Sequence, residues 1–231
     1  MALPPFNNDN TFRGIGSNLV VVQNELKNAF DQCGYSNTDL RGLFFLNTRT
    51  LVQFNIALMN IFSVAQENRM RPEVYRQLLG IAKGNLNDAT QHMNLYMRAS
   101  LITLYQFQVE NLFANILARM KSDIPRGYLR IVGMLLDRIT TTRKEDKTNI
   151  LKVLQYGRNS LHSNATHNNE NFSYKLGSTE YRFTKGQSVT CMSWFSIPPI
   201  MVATINVIKD VVASPEVRSI PEPIVIQYIE F

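Results

Sequence analysis

Arg158, Asn159 and His162 fall in the stretch Tyr156-Gly-Arg-Asn-Ser-Leu-His-Ser-Asn-Ala-Thr-His167, which holds two of the chain's three histidines. On a helix, residues four apart share a face, so Arg158 and His162 project side by side. A permanent guanidinium charge beside an imidazole that titrates near neutrality suits phosphate binding and proton transfer at a phosphodiester. The alternative is structural: Arg158 pairs with a carboxylate such as Glu110, and His162 hydrogen-bonds a helix end.

Other chemistries find less support. His92 stands alone between Gln91 and Met93 and reads as a surface or core-edge histidine. His162 and His167 could share a metal only with Glu170, because no cysteine or further carboxylate lies at ligand spacing. Gly14-Ile15-Gly16 lacks the preceding strand and the third glycine of a phosphate loop. Cys33 and Cys191 are too few and too far apart for a disulfide framework or a thiolate site. No cofactor or metal is expected.

Charge placement adds to the motif. Between Arg119 and Arg158 there are ten Lys and Arg against four Asp and Glu, so this segment alone accounts for the formal net charge of +6. Clustered cations are commonly a solvated face. They also attract nucleic-acid backbones. Arg143, Lys144, Lys147 and Lys152, with His167 beyond the motif, are the candidate nucleic-acid contacts.

The elements that must position these groups are mainly helices. The chain has 231 residues, 45% hydrophobic and 18% charged, enough for a sizeable core. Residues 1–16 read as an irregular arm, 17–213 as one helical domain and 214–231 as an extended tail. Ser17 is placed to cap a helix over 18–33 that Gly34 stops. A helix over 39–67 turns Leu40, Phe44, Leu51, Phe54, Leu58, Ile61, Phe62 and Ala65 inward. Pro72 opens a third over 73–83. A long helix or bent pair over 87–121 buries Met93, Tyr96, Leu104, Phe107, Leu112, Ile116 and Met120, and a further helix spans 126–140. The motif helix covers 147–163, with Ile150, Val153, Leu154, Gly157 and Leu161 as its apolar stripe and the motif at the stripe's edge. Gly157 there permits a close approach or a kink. Alternating Phe172, Tyr174 and Leu176, then Tyr181 and Phe183 across Gly177-Ser178, predict a hairpin near 172–184 that must pack on the helices. Pro198-Pro199 starts a last helix to Ala213 with Ile205, Ile208 and Val212 inward. The prolines after Ser214 predict a non-helical tail, in which 224–229 is apolar enough for an edge strand or for packing against a second subunit.

The N-terminus has neither a basic nor an apolar leader region, and the apolar stretch 197–208 is too short and broken to span a bilayer. The expectation is a soluble cytoplasmic protein with no membrane partner.

A helical bundle whose late helix ends in Arg158-Asn159-Ser-Leu-His162-Ser-Asn164, followed by a hairpin and one more helix, resembles the HEPN superfamily. Glu110-Asn111-Leu112-Phe113 is similar to the acidic and aromatic helix of that group. The resemblance covers roughly residues 40–215, and its specific part is 158–164. It implies an all-helical, RNA-binding protein of the toxin or defence type, with metal-independent endoribonuclease activity. It also implies a homodimer, or an antitoxin or other protein partner. Carried over, Arg158 binds the scissile phosphate, His162 serves in acid–base catalysis and Asn159 orients the site. Arg158 and His162 enclose three residues, where the family's ribonuclease motif has four to six. A non-catalytic interaction module or scaffold would carry the same fold.

Overall fold

In the computed structural model, the residues described are 3–9, 11–67, 72–78, 86–121, 123–163 and 165–225. The chain is mainly helical, with one two-stranded antiparallel hairpin. In order come α1 (Phe12–Cys33), α2 (Leu40–Glu67), α3 (Pro72–Leu78), α4 (Leu86–Arg119), α5 (Tyr128–Arg138) and α6 (Lys144–His162). They are followed by β1 (Phe172–Leu176), β2 (Thr179–Phe183), α7 (Ile197–Ala213) and α8 (Pro215–Arg218).

The first helix begins earlier than its apolar pattern suggests. Thr11 caps it by accepting from the Gly14 N–H, and a Cβ on Gly14 would run into the Asp9 backbone. Gly14 therefore serves packing, and part of the expected arm is helix. Gly34 closes α1 in the left-handed region at φ 76°, as its position predicts.

α7 lies at the centre. A helix that is apolar on nearly every side has to be surrounded, and only Asn206, Lys209, Asp210 and Ala213 of α7 reach solvent appreciably. α1 packs on one side and α6 on another, with α4 and α5 against α6. Three tyrosine hydroxyls donate to carbonyls along its length. Tyr181 reaches Ser196 O (2.6 Å), Tyr105 reaches Met201 O (3.0 Å) and Tyr35 reaches Val212 O (3.2 Å). Burial pushes the Tyr105 and Tyr181 hydroxyls well above their ordinary pKa, so they remain donors.

The tail departs from the extended form expected of it. Proline is tolerated in the first helical turn, and Pro215 there starts the short α8. The end of α8 and the segment beyond it are clasped by an ion pair with no solvent exposure, Asp39–Arg41 at 2.6 Å. Arg41 Nη1 donates to Val217 O and Ile220 O, while Ile224 N–H donates to Asp39 Oδ2 at 3.0 Å. The Tyr35 ring covers the guanidinium at 3.9 Å. Residues 226–231, the rest of the expected edge strand, lie outside the described residues, as do 79–85 at the end of the expected third helix.

The hairpin pairs Phe172 with Phe183 and Tyr174 with Tyr181, and Gly177 at φ 59° makes the turn. It packs on α6 through Tyr156, whose ring meets Phe172 and Phe183 edge-on at 5.6 and 5.8 Å. Gly157 on α6 admits Met192 from the loop before α7. A Cβ there would run into Met192 Cε and Sδ.

Among the described residues no helix is long and apolar enough to cross a membrane.

The clasp and the Gly157 contact each set a measurable stability. Burial alone pushes the Asp39 carboxyl up, but hydrogen bonds from the Arg41 side chain and from the Ile224 and Arg41 N–H groups hold it below the usual carboxylate range. Its contribution is therefore complete above the unfolded value of about 3.9 and is lost as pH falls through the lower folded value. Asp39→Ala leaves Arg41 buried and unpaired, and is expected to cost about 3–5 kcal/mol in urea unfolding at neutral pH. Gly157→Ala is expected to destabilise by about 1–2 kcal/mol, because the clash with fully buried Met192 outweighs the gain in helix propensity. Gly133→Ala in α5, with nothing within 4 Å of the new Cβ, is expected to stabilise by about 0.5–1 kcal/mol.

Candidate functional site

Two helices build the site. α6 buries Ile150, Val153, Leu154, Gly157 and Leu161, and this stripe turns the next face toward α4. His162 Nε2 lies 2.6 Å from Thr103 Oγ1 of α4. One turn earlier on α6, the Arg158 guanidinium sits 5.6 Å over the Phe107 ring, one turn later on α4. The two contacts match an antiparallel α4–α6 seam, each helix supplying residues four apart. Arg158 Nη1 also donates to Asn159 Oδ1 at 3.0 Å, so all three motif residues meet at this seam.

The two motif groups are not equivalent. His162 is exposed and lines an open cleft of about 930 Å³ with Tyr96, Ser100, Thr103 and Leu104. Arg158 is half-buried beside that cleft and not on its wall. Glu110 is close enough to Arg158 to feel its charge. Burial pushes the Glu110 carboxyl above its ordinary range, and the guanidinium pulls it back only in part.

The cleft exists because several apolar residues of α4 face outward. Tyr96 is 70% exposed, and Leu104 and Phe107 are also exposed, although their spacing predicts core. The same holds for Phe54 and Ile61 on α2. α4 turns Leu101, Ile102, Tyr105, Val109, Leu112, Phe113 and Ile116 inward instead. Apolar residues surround so much of α4 that its sequence pattern does not single out one inner face. The side chain of Ala65, also read as inward, lies outside the described residues.

The basic candidates are spent elsewhere. Lys147 is buried, with Nζ on Asp210 at 2.8 Å and on the Thr141 hydroxyl. Lys144 pairs with Asp137, and Arg143 with Asp146. Lys152 donates to Glu170 Oε1 at 2.7 Å and lies over the Phe172 ring at 4.7 Å. His167 is 0% exposed. Its Nε2 donates to Glu170 O at 2.8 Å, Nδ1 lies 3.3 Å from Ser160 Oγ, and the ring packs on Tyr156 and Phe183. His167 is thus a brace for the loop between α6 and the hairpin, not a surface contact for a nucleic acid. With that ring buried and Glu170 held by Lys152 and Tyr156, the imagined metal set does not assemble. Among the described residues no group of three or more His, Cys, Asp and Glu could hold a metal ion.

Sequence reasoning missed Thr103. His92, read as a surface or core-edge histidine, is exposed and lines the cleft too, but it lies eleven positions before Thr103 on α4, about 16 Å of helical rise. It cannot act on the same bond as His162. Thr103 carried no signal, because its role rests on a contact between residues 59 positions apart.

No family model, curated protein or solved structure matches this chain.

The two motif-region histidines should separate cleanly in stability. Guanidinium unfolding of His167→Ala is expected to show a loss of about 2–4 kcal/mol, for a buried ring with two hydrogen bonds. His162→Ala, at an exposed position, is expected to change stability by no more than about 0.5 kcal/mol.

Proposed function

We propose that the protein binds RNA in the cleft beside α4 and α6 and cleaves it without a metal, in the manner of the HEPN superfamily it resembles. The observation that carries this reading is the exposed His162 imidazole on an open cleft, held by Thr103, with Arg158 one turn back. Thr103 occupies one ring nitrogen, and Nδ1 has no partner among the described residues. An imidazole so placed can take the proton of a ribose 2′-hydroxyl as its oxygen attacks the adjacent phosphorus. The P–O5′ bond then breaks, the 5′-oxygen takes a proton from solvent water, and a 2′,3′-cyclic phosphate remains, with the imidazolium returning its proton to solvent. Arg158, with only one N–H engaged by Asn159, would turn toward the phosphate and stabilise the charge that builds there. Exposed Tyr96 and Phe107 offer rings on which unpaired bases can stack. Strand contacts would then fall on the cleft, since the cations of the α5–α6 turn already face carboxylates.

A second reading has its own observation. Phe54, Ile61 and Val64 of α2 and Leu104 and Phe107 of α4 are all exposed, and large apolar residues in the open mark interaction surfaces. A non-catalytic module that pairs with a second copy or with an antitoxin-like protein would use this face.

The readings part in one assay. Cleavage of unstructured RNA in EDTA is followed for the wild type, His162→Ala and Arg158→Ala. The ribonuclease reading expects His162→Ala to lose about 10²–10⁴-fold in rate with binding retained. Arg158→Ala should weaken binding and reduce the salt slope by about 1. Equal behaviour of all three proteins removes the catalytic reading and leaves the interaction module.

A further inference from the structure

A second opening lies on another flank of α4. Arg98 precedes Thr103 by five residues, about 140° around the helix, and so faces away from His162. Its side chain is half-buried. Nη1 donates to Met192 O at 2.8 Å and Nε to Asn94 O at 3.2 Å. Both acceptors are neutral carbonyls. Burial draws the guanidinium below its ordinary pKa, and no carboxylate acts on it to offset that. Of the five N–H donors in the fork, two are used, and the other three have no partner among the described residues.

The opening is about 560 Å³ and is walled by Asn94, Arg98, Ala165, Ser193 and Trp194. Trp194 is 5% exposed. Its Nε1, like Asn94 Oδ1, is buried without a hydrogen-bond partner. Burying a cation without a counter-charge is unfavourable, and so is burying a polar atom without a partner. An anion seated here would relieve the first cost, and a small shift of the wall toward it would give the Trp194 N–H an acceptor, whereas Asn94 Oδ1, itself an acceptor, would gain nothing from it. We propose that this opening is a binding site for an oxyanion, a phosphate or carboxylate group, gripped by the free edge of the Arg98 fork beside Trp194. A planar fork matches the two oxygens of either group. The opening adjoins the His162 cleft across His92 and Leu95, but Arg98 and Trp194 line this opening alone, and the proposal does not depend on the RNA reading.

Trp194 is the chain's single tryptophan, so its emission reports on this wall alone. The full chain is titrated with inorganic phosphate and, separately, with acetate, at constant ionic strength. The expected result is a saturable change in Trp194 emission with at least one of the two, and the stronger response identifies the group preferred. Arg98→Gln should weaken that response at least about tenfold, the loss of one charge-assisted hydrogen bond. His162→Ala should leave it within about twofold, since His162 lines the neighbouring cleft and not this opening. Because Arg98 also braces the Met192 loop, Ala165→Asp serves as the second variant. Ala165 sits in the left-handed region at φ 62°, which Asp tolerates, and its carboxylate would occupy the anion's place. The response should vanish in that variant while its melting transition stays cooperative. No saturable response to either anion in the wild type overturns the proposal. So does a wild-type response in Ala165→Asp, or in a folded Arg98→Gln.

Discussion

The burial of α7 is the constraint on which the other placements depend. A helix apolar nearly all round cannot lie on a surface, so α1, α6 and the segments flanking α7 must cover it. Three tyrosines, on α4, on β2 and in the connection between α1 and α2, add directional bonds to carbonyls along it, which fix its position where apolar contact alone would let it slide. Once α6 presses its stripe inward, its neighbouring edge can meet only α4. The Arg158–His162 edge owes its position to that chain of packing.

The Asp39–Arg41 clasp does comparable work at the other end. It ties residues 217–224 back to the start of α2, through backbone groups that an extended tail would leave to water. A buried ion pair is costly to form and is retained here with four of the five Arg41 side-chain N–H donors engaged and both Asp39 oxygens accepting. The clasp depends on carbonyls presented by α8 and the turn after it, so the helical start of the tail and the ion pair support one another.

The site itself is decided by which polar groups are left over. Lys147, Lys152 and His167 are bound into the fold, and Arg143 and Lys144 face carboxylates one element or one turn away. Among the described residues, His162 is held at one nitrogen with no partner at the other, and Arg158 is stacked on Phe107 with one N–H engaged. Charge counting favours the residues between α5 and α6, whereas the geometry favours two groups at the α4–α6 seam. Counting ignores the short-range pairing that neutralises most of that surface.

Much of the architecture was legible in the chain. Local pattern places α2, α6, α7 and the hairpin nearly where they stand: apolar spacing for α2 and α6, proline in the first turn of α7, and alternation across a two-residue turn with glycine at φ above zero for the hairpin. The stripe of α6 was equally legible, and with it the shared face of Arg158 and His162. Local pattern could not decide which face of α4 and α2 turns inward, since both helices are apolar over more than one stripe. Nor could it tell that His167 is a brace while His162 is open, five residues apart in one motif. Those outcomes are set by contacts between residues far apart in sequence: Thr103 with His162, Met192 with Gly157 and Arg98, and Phe183 with His167. Spacing along the chain carries no information about such pairs until the helices have packed.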